Sequence, residues 1–262
     1  MTRAPPSPLS GWTLISLRPA GGHAPMRRAA AKHGARVLAL SPWRLRRRDD
    51  PATRTALREA LAAERVVFTS PAAVAAASAL RKLRPGPGRI WFAIGEGTAA
   101  ALRRAGVPPQ RIRTPQRMDS DGLLALPDLQ ALRGTDVGLV TAPGGRGAIA
   151  PALAARGARV LRSDVYEREP VVWSAATSNK LRALTRPYAW VVSSGEALQR
   201  TRQALPPEWA QAWPDSLAVV ASERLAVVAR EAGFGRTLVA ASARPADLVA
   251  ALAQAAAERR FR

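Results

Sequence analysis

Short polar residues stand directly behind apolar runs at several points of the chain, and that placement suits anion binding. Thr69 and Ser70 follow VVF, and the tetrad Gly95, Glu96, Gly97, Thr98 follows IWFAI. An Ala-rich stretch comes next in each case, reading as helix over about 72–83 and up to Arg104. Where a buried strand hands over to a helix, backbone N–H groups without an intrahelical partner face outward and favour negative charge. The pattern recurs as WVVSSGEAL at 190–198, with Ser193 and Ser194, and as AVVASERLAVVAREAG at 218–233, with Ser222.

Other chemistries find little support. The chain has no cysteine, so disulfides and thiolate sites are excluded. His23 and His33 are the two histidines, and no ligand cluster surrounds either, so neither zinc nor a Ser-His-Asp triad is expected. Both read as surface residues near or on the first helix. The net charge of +21 comes almost wholly from arginine, with lysine at 32, 82 and 180. Such a balance admits an anionic partner: nucleic acid, anionic lipid, or a polycarboxylate or phosphate. The arginine clusters lie on five separate segments, however, without the interleaved aromatics of a nucleic-acid face. No apolar run approaches the roughly 18 residues of a membrane span, and no signal peptide is visible, so the cytoplasm is the expected location.

Elements that must position these loops follow one another in regular alternation. Residues 1–10 carry three prolines and read as an irregular lead-in. The spacing predicts a strand over 12–17, a helix over 25–33, a strand over 36–40, and an exposed charged connector (RLRRRDDP). A helix over 52–63 then feeds the stretch 65–106, with its two strand-loop-helix units. Beyond it come a short strand near 111–113 and a helix capped by Asp119-Ser120-Asp121. The second half opens at Asp136 with a strand and a Gly-rich loop (Gly144, Gly145, Arg146, Gly147). A helix and a strand ending at Tyr166 follow. Next come helix 174–184, strand 189–192, helix 196–205, and a loop or short helix holding Trp209 and Trp213. Strand LAVVA, a helix to Gly233, strand 237–241 and a helix capped near Asp247 complete the chain.

Set side by side, the halves agree in order. Residues 12–43 resemble 137–166, VVFTSPAAV resembles WVVSSGEAL, and FAIGEGTAAALRRAG resembles VVASERLAVVAREAG. This is an internal duplication of an α/β unit. Alternating strands and helices imply parallel sheets with right-handed crossovers. The expected fold is therefore α/β, two flavodoxin-like parallel-sheet domains, with loops at the carboxyl ends of the strands lining a cleft.

Seven motifs, in order, resemble the uroporphyrinogen-III synthase family: SLRP at 16–19, FTSPAAV at 68–74, AIGEGTAAALRRAG at 93–106, GGR at 144–146, VY at 165–166, VVSSGEAL at 191–198, and VASERLAVVAREAGF at 220–234. The resemblance spans roughly 12–252. It departs at Ser16-Leu17, where the family more often has a threonine before Arg-Pro. It implies two α/β domains joined by a two-stranded connector. Domain one would be 1–40 plus 168–262 and domain two 41–167, with connector strands near 38–46 and 164–170.

The function so implied is a lyase of haem biosynthesis. Its substrate is hydroxymethylbilane, a linear tetrapyrrole with eight carboxylates, and it uses no cofactor or metal. Loss of the terminal hydroxyl gives an azafulvene. Attack by the already substituted carbon of the last pyrrole forms a spiro intermediate, and that ring then breaks away, turns over and recloses. Unassisted, the chain closes end to end into the other isomer, so catalysis is largely control of conformation. The resemblance makes Tyr166, ending a strand beside the hinge, the candidate for assisting departure of the hydroxyl. Arg18, Thr69, Ser70, Gly95, Thr98, Gly145, Arg146, Ser193, Ser194 and Ser222 are the candidate carboxylate contacts. It further implies a monomer that binds neither nucleic acid nor membrane, with room for transient hand-over from hydroxymethylbilane synthase. The rival reading is a non-catalytic two-domain binder of a small anion.

Overall fold

The structure is a computed structural model, and it describes residues 7–144 and 147–258. In chain order it opens with β1 (Thr13–Ser16), α1 (Ala24–Ala31), β2 (Arg36–Ala39), β3 (Trp43–Arg47) and α2 (Pro51–Ala62). The next elements are β4 (Arg65–Phe68), α3 (Pro71–Leu80), β5 (Ile90–Ala93), α4 (Glu96–Arg104), β6 (Ile112–Arg113) and α5 (Ser120–Leu124). Then come β7 (Asp136–Thr141), α6 (Ile149–Ala155), β8 (Arg159–Asp164), β9 (Tyr166–Pro170) and α7 (Ala175–Arg182). The remainder is β10 (Tyr188–Val192), α8 (Gly195–Ala204), α9 (Pro207–Gln211), β11 (Leu217–Val220), α10 (Glu223–Glu231), β12 (Arg236–Val239) and α11 (Pro245–Ala257).

These form two compact units, one of residues 1–44 and 170–262, the other of 45–169. The first holds a five-stranded sheet ordered β12-β11-β10-β1-β2, the second one ordered β6-β5-β4-β7-β8. All neighbours in both sheets are parallel. A separate two-stranded sheet pairs β3 with β9. The expected α/β architecture with its connector is thus present. The first half of the charged run that reads as an exposed connector, residues 44–47, lies in β3, where Arg46 forms ion pairs with Glu167 and Glu169 of the facing strand.

The duplication is visible strand by strand. With β7 matched to β1, β8 to β2, and β4, β5, β6 to β10, β11, β12, the two sheets have the same neighbours throughout. Numbered along its own chain, the first sheet runs 2-1-3-4-5, the flavodoxin-like order. The second runs 3-2-1-4-5, because its chain enters at what is the third strand of the first, a circular permutation. Each order reverses once, at β1/β10 in the first unit and at β4/β7 in the second. Open α/β sheets bind ligands at such switch points, outside the carboxyl ends of the strands.

Strands buried on both faces read as continuous apolar runs. In β4, Val66 and Phe68 enter a core with α2, α3 and α4, while Val67 enters the opposite core with α5 and α6. In β1, Ile15 and Leu14 divide in the same way. The short helix α9 carries Trp209 into an aromatic cluster with Trp190, Trp213 and Phe234, where Trp213 stacks on Phe234 at 4.4 Å between centroids. Gly138 of β7 lets α2 approach closely, since a Cβ there would overlap the carbonyl of Ala60.

Two expectations are corrected. Tyr166 does not end a strand: β8 stops at Asp164 and Tyr166 opens β9. The turn is fixed by Val165, whose N–H donates to Thr141 O at 3.0 Å while its carbonyl accepts from Arg48 N at 3.0 Å. His23 is not a surface residue but 4% exposed. His33 is half-buried.

Candidate active site

In the second unit the carboxyl end of β4 leads through Thr69 and Ser70 into α3. Ser70 is extended (φ −165°, ψ 158°) and caps the helix, its Oγ accepting from Ala73 N at 3.0 Å. Pro71 at the first helical position contributes no N–H. The cap hydroxyl therefore satisfies one orphan amide itself and keeps its own proton to donate. Across the switch point, Thr69 Oγ1 lies 2.8 Å from Thr141 Oγ1, at the end of β7. The Tyr166 phenol lies 3.2 Å from Ser70 Oγ, with the ring packed into the core at 5% exposure.

These side chains line one cavity of about 180 Å³, together with Arg162 and Arg168. Arg162 is paired with Asp164 and donates from Nη2 to Ala142 O at 3.3 Å; Arg168 donates from Nη1 to Pro143 O at 3.0 Å. Both guanidinium groups thus hold the segment that enters the Gly-rich loop. Gly145 and Arg146 lie outside the described residues. Gly95 caps α4 through its backbone, and Thr98 is buried within that helix at 2% exposure; neither lines this cavity.

In the first unit, Arg18 follows β1 and Ser193 follows β10, so they flank its switch point. The Arg18 Nε donates to Gly22 O at 2.9 Å, and burial lowers the guanidinium pKa from its ordinary value. Ser194 and Ser222 cap α8 and α10, accepting from Ala197 N at 3.3 Å and Leu225 N at 3.4 Å. Of the residues named from sequence, the structure brings Thr69, Ser70 and Tyr166 together, and separately the caps of the first unit. It misses Thr141, Arg162 and Arg168. Thr141 has a signal in the duplication, where the registers of β1 on β2 and of β7 on β8 match it to Arg18, itself a candidate. The two arginines have none, because their common cavity depends on how β8 turns into β9. Among the described residues no group of three or more His, Asp or Glu could hold a metal ion, and no helix is long and apolar enough to cross a membrane.

A family model described as uroporphyrinogen-III synthase HemD matches residues 24–250. The chain belongs to this family. Uroporphyrinogen-III synthases of Escherichia coli (strain K12) and Salmonella typhimurium are each 37% identical to it, over 164 and 174 residues, or 62% and 63% of this chain. The match spans 66% of the first relative, just under two thirds, and 70% of the second. Among solved structures, a mutant uroporphyrinogen III synthase of Thermus thermophilus has TM-score 0.64 at 19% identity. It covers 95% of this chain and 100% of its own. The Helicobacter pylori protein has TM-score 0.58 at 16% identity, covering 94% and 99%. At such identity these two speak for the fold. The expected family is the one found, and both relatives bear the name uroporphyrinogen-III synthase.

Proposed function

We propose that this chain closes hydroxymethylbilane into uroporphyrinogen III, with loss of water and inversion of the last pyrrole ring. The observation that carries the reading is the Tyr166 phenol, set against the cap of α3 in a cavity with two guanidinium groups. At about 180 Å³ the cavity is smaller than the roughly 300–1,000 Å³ of drug-sized ligand sites, so it takes one end of a tetrapyrrole and not the whole. Tyr166 donates its proton to the departing hydroxyl, in the role of a general acid. Charge that develops there meets the positive end of α3.

The rest of the task is restraint. Thr69, Ser70 and Gly95, with Gly145 and Arg146, hold carboxylates on the second unit; Arg18, Ser193, Ser194 and Ser222 do so on the first. Thr98, 2% exposed, packs within α4 and is out of reach of a ligand. Each charge-assisted bond contributes about 1.5–3 kcal/mol, enough that several together fix the pose of a flexible chain. A held chain in which the substituted carbon is nearest the azafulvene closes by that route before end-to-end closure intervenes.

Each compact unit serves as a domain in this reading, and the protein works as a cytoplasmic monomer. A self-reactive substrate favours transient hand-over from hydroxymethylbilane synthase over free diffusion. Freshly made hydroxymethylbilane, incubated with the protein and oxidised, tests the function: type III product is expected, and type I alone would remove the reading.

A further inference from the structure

His23 has surroundings in the first unit that neither packing nor the proposed chemistry explains. Its Nδ1 lies 3.0 Å from Ser16 Oγ at the end of β1, and its Nε2 lies 2.7 Å from Ser41 Oγ, just ahead of β3. Ser16 is fully buried, and Ser41 is 9% exposed. A leucine would fill the same space but would leave two buried hydroxyls without their partner, which typically costs about 1–3 kcal/mol for each such group.

The ring also closes the loop that carries Arg18. Residues 17–22 run from the end of β1 to the start of α1, and the Ser16–His23 bond joins their two ends. Within the loop, Arg18 Nε donates to Gly22 O at 2.9 Å and Gly22 N donates to Pro19 O at 2.9 Å. Gly21 sits at φ +80°, a conformation open to glycine at little cost. Outside it, Ala20 N donates to Trp43 O at 2.9 Å, so the loop is tied to segment 41–43 twice, once through His23 and once through the backbone.

We propose that His23 is a positioning residue for Arg18: its imidazole clasps Ser16 and Ser41 and so holds the 17–22 loop in the one shape that presents the guanidinium to a substrate carboxylate. This rests on the reading of Arg18 as a carboxylate contact. The clasp needs one ring nitrogen to donate and the other to accept from a hydroxyl, which a neutral imidazole does. Burial keeps the ring neutral, and the charges of Arg27 on α1 and Arg18 in the loop act in the same direction, lowering its pKa to about 4. The other groups that face it, Ser16 and Ser41, are uncharged.

Steady-state kinetics with hydroxymethylbilane on His23→Leu, His23→Gln, Arg18→Gln and the two double variants test this. His23→Leu is expected to raise KM about tenfold with kcat within about twofold, and His23→Gln, whose amide reaches the place of Nε2 and keeps Ser41, to raise it only about threefold. In the Arg18→Gln background either change is expected to move KM by less than about twofold, because the residue it positions is gone. Full effects persisting in that background, or an unchanged KM in the singles, would overturn the proposal. Should the leucine variant fail to fold, the glutamine variant and its double carry the same comparison. Wild-type protein is the separate control: if it yields no type III product, the proposed function falls, whereas an active wild type with additive variants sinks only the role of His23.

Discussion

The phenol of Tyr166 lies 3.2 Å from Oγ of Ser70, the residue that caps α3. A hydroxyl that already accepts from Ala73 N can still donate, so the pair forms a short relay at the positive end of a helix. Tyr166→Phe removes the hydroxyl and leaves the buried ring in place. The expected outcome is a loss of about a hundredfold in kcat for type III formation. Thermal melting should shift by no more than about 3 °C. Unchanged turnover would reduce Tyr166 to a packing residue.

Ser70→Ala separates capping from catalysis when paired with Ser174→Ala. Ser174 caps α7 through Thr177 N at 3.2 Å and is no candidate for the site. Both substitutions should cost about 1 kcal/mol of stability, the ordinary worth of an N-cap. Only Ser70→Ala should also lower turnover, since only there does the hydroxyl meet Tyr166. Equal activities in the two variants would contradict the relay.

The order of elements is legible in the sequence because strands such as VVF are buried on both faces and because Ser70, Ser194 and Ser222 mark helix starts directly. Helix ends are less so. The run from 72 onward reads as helix to Leu83, yet α3 stops at Leu80 and Arg81 is extended (φ −156°, ψ 144°). Leu83 then reaches the core from an extended segment, a tertiary outcome that local propensity does not register. The hydroxyl loops are visible for the same reason as the caps, but the pairing of Thr69 with Thr141 spans 72 residues. His23 reads as a surface residue because its burial depends on Ser41, 18 residues further on.

Acid should weaken the fold through His23. Its pKa falls from 6.5 to about 4 on folding, so between these values the unfolded chain holds a proton that the folded chain does not. Stability from this residue is therefore complete above about 6.5 and is lost as the pH drops toward about 4, with no further loss below. Urea unfolding at a series of pH values should show the wild type losing stability relative to His23→Gln across that window. Parallel profiles for the two proteins would contradict the assignment.

Gly138→Ala tests the packing of the second unit. The added methyl would overlap the Ala60 carbonyl on α2, a backbone atom that cannot swing aside. A destabilisation of about 3 kcal/mol is expected in urea unfolding, at the upper end for overpacked cores. A wild-type midpoint would mean that α2 sits further from β7 than the structure has it.

The central claim is that this chain turns over hydroxymethylbilane and decides which isomer forms. The most direct measurement is the isomer composition of the oxidised product at enzyme concentrations well below that of substrate. Type III product in large molar excess over enzyme is the predicted result. Type I alone, or type III no greater than the amount of enzyme added, would contradict it and leave a protein that binds the tetrapyrrole without catalysing its closure.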